Sequence, residues 1–135
     1  MKSEEHQQAL EEHIRNLAQA IDNSIKENQR NIAYNVSLGA VELFALYLHT
    51  LHLIEGSGDQ WDHRIFKSKK RVMEKVPFAF PDKERILKLL EEIEQERNLL
   101  CYGKRQPQQR IERMIANFQE LRRTIDQHLP HEPTK

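Results

Sequence analysis

Arg97 stands where the pattern of this sequence asks for a leucine. Ile86, Leu90, Ile93 and Leu100 recur at helical spacing, and Arg97 falls in the same line. At 100° per residue the five side chains fit within an arc of roughly 80° on one helix face. A guanidinium keeps its charge at any physiological pH, so on a packing face it must meet an ion-pair partner, an anion or a cleft. Its distinctive chemistry is bidentate capture of a phosphate or carboxylate. The residues that follow add an amide (Asn98), a thiol (Cys101) and a phenol (Tyr102) before Gly103 closes the segment. Two readings stay open: an anion site, or an ordinary ion pair at the edge of a helical bundle.

The elements that must position these groups are helices. No run alternates apolar and polar residues long enough to make a strand. The first helix carries the stripe Leu10, Ile14, Leu17, Ile21 and Ile25. The second, about 31–55, is apolar around most of its circumference and is predicted to be central, ending at Gly56-Ser57-Gly58-Asp59. A third is predicted from Trp61 to about Val76, stopped by Pro77, with Phe78 and Phe80 plugging the core before Pro81. Asp82 is placed to cap the fourth, which runs to about Tyr102 with Gly103 as terminator. The fifth starts near Pro107 and uses Ile111, Met114, Ile115, Phe118, Leu121, Ile125 and Leu129; residues 130–135 read as a frayed tail. The expected architecture is an all-α, five-helix up-and-down bundle forming one domain over residues 1–135.

The second helix carries its own polar line. Asn35, Glu42 and His49 are seven apart, and Asn31 and His52 extend the stripe. It is either the solvent side or the lining of a cleft, in which Glu42 or His49 could orient Arg97. His49 and His52 at i,i+3 could share a metal, but no set of carboxylate or Glu-x-x-His ligands accompanies them, so no metal is expected. Cys101 reads as a small core residue, since no base lies beside it in sequence. Basic residues gather at Arg64, Lys67, Lys69, Lys70, Arg71 and Lys75, and again at Lys104, Arg105, Arg110 and Arg113. Glu84, Glu91, Glu92, Glu94 and Glu96 make the fourth helix acidic. Such segregation can hold a phosphate backbone, pair two subunits, or simply be solvated. Lys67–Arg71 contains no aromatic residue for stacking single-stranded bases.

The formal net charge is zero, so no global field draws the chain to nucleic acid or membrane. The N-terminus lacks the apolar core of a secretory signal, and residues 38–54 include Glu42, His49 and His52, which is short and polar for a bilayer span. A single cysteine excludes an internal disulfide and a cysteine-built metal site. A cytoplasmic protein without a cofactor or membrane association is expected. Gly-rich phosphate loops, Ser-x-x-Lys and His-Glu-x-x-His motifs are absent from the sequence.

Three segments together resemble the HEPN domains (higher eukaryotes and prokaryotes nucleotide-binding), a family of small helical bundles. Ala40-Val41-Glu42-Leu43-Phe44-Ala45-Leu46-Tyr47-Leu48-His49 is similar to the family's central helix, and the basic segment Asp62-His63-Arg64-Ile65-Phe66 follows it after a short loop. Arg97-Asn98-Leu99-Leu100-Cys101-Tyr102-Gly103 is similar to the family's motif of an arginine, a polar residue and, a few positions on, a histidine. The resemblance implies a homodimer whose motif segments share a cleft. It also implies a nucleotide or RNA ligand, metal-independent ribonuclease chemistry, and a toxin role beside a nucleotidyltransferase antitoxin.

The interval in which the motif histidine falls covers Tyr102, Gly103 and Lys104, and none of them is histidine. Tyr102 can hydrogen-bond, but with an ordinary pKa of about 10 a phenol is a poor base at neutral pH. Loss of a general base typically costs about 10²–10⁴-fold in rate. The expectation is therefore phosphate binding through Arg97, Asn98 and Tyr102, assisted by Glu42 and His49, with weak or no cleavage. An active ribonuclease that uses Tyr102 or His49 is one alternative. The other is a structural interaction module in which Arg97 pairs with Glu42.

Overall fold

The computed structural model describes residues 3–54 and 62–129. Among them the chain is all-helical, with five α-helices: α1 (Ser3–Asn23), α2 (Gln29–Thr50), α3 (Lys69–Lys75), α4 (Lys83–Tyr102) and α5 (Gln108–Asp126). α2 is the hub and packs against α1, α4 and α5. Its Ile32, Ala33, Val36, Phe44, Tyr47 and Leu48 are all completely buried. They meet Ile86 and Leu100 of α4 and Ile111, Met114, Phe118 and Leu121 of α5 in one continuous core. Burial of each large side chain contributes roughly 1.5–3 kcal/mol. By length and composition α2 could cross a bilayer, but most of its apolar residues are enclosed by the bundle.

Gly39 shows why a glycine sits inside this hub helix. A Cβ there would lie 3.2 Å from Phe118 Cζ and 3.4 Å from His13 Cβ, so α1 and α5 both close onto α2 at this point. The close approach offsets a helix-propensity cost of about 1 kcal/mol.

The ends of the elements differ from expectation in three places. α2 stops at Thr50, before the predicted boundary near Glu55. His52 adopts a left-handed conformation (φ 59°). Its N–H returns to His49 O at 3.0 Å, and Leu53 N returns to Leu48 O at 2.9 Å. This bonding pattern satisfies the final carbonyls in the way a C-terminal glycine usually does. The predicted terminator Gly56–Asp59 and the predicted start at Trp61 lie outside the described residues, as does the tail 130–135.

The expected third helix is two pieces, a 3₁₀ turn (His63–Lys67) and α3, joined at Ser68. Ser68 is extended, and its hydroxyl accepts from Arg71 N, so it caps a new helix and breaks the old one. Asp82 precedes α4 but does not cap it with its side chain. It is left-handed (φ 59°), and its carboxylate is engaged by His128 Nε2 at 2.7 Å instead. Gly103 ends α4 as predicted, donating to Leu99 O at 3.0 Å. Phe78 and Phe80 are partly buried, and Phe80 packs 5.8 Å from both Phe44 and Tyr47.

Candidate functional site

Periodicity places Arg97 on the inner face of α4, and it is only 6% exposed there. Nη1 donates to Ser37 Oγ of α2 at a long 3.4 Å, and Nε is buried without a hydrogen-bond partner. Arg97 forms no ion pair among the described residues. An uncompensated interior charge costs several kcal/mol, so this position works against the stability of the core around it.

One turn earlier, Glu94 is 2% exposed. His63 Nδ1 donates to both of its carboxylate oxygens at 2.9 Å, pinning the 3₁₀ turn onto α4. Asp62 caps that turn by accepting from Arg64 N at 2.8 Å, and its Oδ1 lies 3.7 Å from His63 Nε2. The hydrogen bond from the Arg64 side chain holds the Asp62 carboxyl down at about 2. The sequence groups Glu94 with the acidic residues of the fourth helix and His63 with the basic segment 62–66, without pairing them, and singles out no role for Ser37. A signal was present, because Glu94 lies three residues before Arg97 at the margin of the apolar arc.

Cys101 is half-buried beside this group. Burial pushes its thiol up, and Glu94 adds to the shift, while Arg97 and Arg30 pull the other way and lose. It stays a thiol at neutral pH, in keeping with its reading as a small core residue. Alkylation by iodoacetamide at pH 7.5 is expected to run roughly tenfold or more slower in the native chain than in urea. Equal rates would contradict this assignment.

The predicted site residues divide among three surfaces. Asn98 is exposed and Tyr102 is 73% exposed, one helical turn apart on the outside of α4. Arg97 is turned inward, about 100–140° away around the helix axis. Glu42 and His49 lie on a different side of α2, under α1. Glu42 Oε2 accepts from His6 Nδ1 at 2.5 Å, and the His6 and His49 rings are 5.1 Å apart. Asn35, of the same stripe, accepts from His13 Nδ1 at 3.0 Å. The middle of the polar line, Asn35, Glu42 and His49, is therefore neither a bare solvent face nor a cleft for Arg97. It is the seam on which α1 docks, and Glu42 is committed to His6 rather than to Arg97, while Asn31 and His52 at the two ends are exposed. No group of three metal-binding side chains occurs among the described residues.

The geometry shows a charge held inside the bundle with one long hydrogen bond, and Asn98 and Tyr102 displayed on another face of the same helix. Comparison with family models, curated proteins and solved structures finds no match to this chain.

Proposed function

We propose that this protein is a HEPN-like homodimer that binds a nucleotide or RNA phosphate at the C-terminal end of α4. Arg97 supplies the charge for the phosphate, and Asn98 and Tyr102, about 100–140° around the helix axis, supply hydrogen bonds to the rest of the ligand. The observation that carries the proposal is the guanidinium itself, 6% exposed, with Nε unpartnered and no carboxylate paired to it among the described residues. Fixed donors in a dry environment bind an arriving anion far more strongly than solvated ones do. In this reading the protein is cytoplasmic, acts as the toxin-type partner of a nucleotidyltransferase, and offers the exposed Tyr102 hydroxyl for modification. It is a binder rather than an efficient nuclease, since neither Tyr102 nor the His6-flanked His49 stands beside Arg97 as a base.

Arg97→Lys keeps the charge and removes the planar fork. Its affinity for nucleotides and short RNA is expected to fall roughly tenfold to a hundredfold, the worth of one or two charge-assisted hydrogen bonds. Incubation of the parent with unstructured RNA is expected to leave it uncut. Cleavage that disappears in Arg97→Ala would establish the ribonuclease alternative. Unchanged affinity in Arg97→Lys would favour a second reading, a structural module. That reading draws on the Arg97–Ser37 hydrogen bond, which ties α4 to α2 within one chain.

A further inference from the structure

Beyond Gly103 the chain crosses the start of α2, and the two segments enclose a groove of about 380 Å³. Arg30, Lys104 and Arg105 line it against a single carboxylate, Glu27, with Asn28, Gln29, Asn31 and Gly103 completing the walls. In a chain of zero net charge this is a local cationic excess.

The groove is built rather than incidental. Gln29 is 1% exposed. Its Nε2 donates to Leu100 O and Lys104 O, both at 3.1 Å, and its Oε1 accepts from Gln106 N at 2.7 Å. From the opposite wall, Arg105 Nη1 donates to Lys26 O at 2.8 Å and Glu27 O at 3.0 Å. These bonds lock the two segments together and leave Arg30 and Lys104 exposed at the mouth. The first turn of α2 adds to the positive field, having neither a side-chain cap nor an acidic residue.

We propose that this groove takes the polyphosphate chain of a nucleoside di- or triphosphate, with Arg30 and Lys104 as its charged jaws and Arg105 as the strut that spaces them. The proposal rests on the reading of the α4 end as an anion site and names the ligand class of that site. Several cations converge on one compact volume, which suits the dense charge of a polyphosphate. A nucleic-acid strand spreads one phosphate per nucleotide and needs a longer track. No aromatic residue lines the groove to stack successive bases.

The test is calorimetric titration with inorganic tripolyphosphate, a nucleoside triphosphate and a 5′-hydroxyl oligoribonucleotide. The chains compared are the parent, Arg30→Gln/Lys104→Gln and Arg97→Lys. Both groove residues are exposed, so the double variant is expected to melt as the parent does. Its affinity for tripolyphosphate and for the nucleoside triphosphate should fall roughly tenfold per residue removed, with oligoribonucleotide binding changed less than about threefold. Tripolyphosphate that fails to bind the parent, or binds parent and double variant equally, overturns the groove assignment. If Arg97→Lys alone weakens binding, the groove is wrong and the Arg97 reading stands. Loss in the double variant alone leaves the groove and removes Arg97 from the site.

Discussion

Replacing His63 with alanine is expected to lower the stability of the fold by about 3–5 kcal/mol, the cost of stranding a buried carboxylate. Glu94 is 2% exposed, and among the described residues the one hydrogen-bonding partner of its two oxygens is His63 Nδ1. With the imidazole gone, the carboxylate must remain as an uncompensated charge, take up a proton or drag water into the core. Each course is costly, and each also releases the 3₁₀ turn from α4. His63→Ala combined with Glu94→Met should recover most of the loss, because an apolar side chain of similar size fills the site without needing a partner. Urea unfolding of the two single variants and the double variant measures the coupling. A loss below about 1 kcal/mol in His63→Ala would show that Glu94 finds another partner, and the argument for the pair would fail.

Arg97→Met is expected to act in opposite directions on stability and on binding. Methionine approximates the aliphatic stem of arginine and carries no charge, so the interior near Ser37 no longer holds an unpaired guanidinium. Stability should be unchanged or higher, by as much as about 1–4 kcal/mol where apolar replacement of buried charge succeeds. Affinity for phosphate-bearing ligands should drop by at least about tenfold, because an N–H fork is what such a ligand would meet. Thermal melting and nucleotide titration on the same preparation separate the two effects. A marked loss of stability in Arg97→Met would mean that the Ser37 contact and the packing of the stem outweigh the cost of the charge. That outcome would favour the structural reading of Arg97. The opposite pairing, a more stable protein that no longer binds, is the signature of a side chain kept for its ligand.

Much of the framework is legible in the sequence alone. The stripe from Leu10 through Leu17 defined α1, Ile86 to Leu100 defined α4 and Ile111 to Ile125 defined α5, because burial of one helix face imposes its period on the residues. The apolar circumference of α2 identified the hub for the same reason. The ends were less legible. His52 does at the end of α2 what a glycine was expected to do, and Ser68 divides a run that reads as one helix. Both outcomes depend on small local energies of about 1 kcal/mol, which tertiary contacts override. Asp82 had the right identity for a cap, and His128, 46 residues away, takes its carboxylate.

The sequence by itself determined that the chain is helical, that α2 lies at the centre, and that Arg97 faces inward. Periodicity records which side of a helix is buried, and that record needs no knowledge of the neighbour. Which element covers that side is a property of the packed bundle alone. Only the tertiary structure set α1 over the Asn35–Glu42–His49 line, gave Glu42 to His6 and Glu94 to His63, and left the Arg97 guanidinium unpaired among the described residues. Pairing energy depends on distances of a few ångströms between segments dozens of residues apart, and spacing along the chain carries no trace of them.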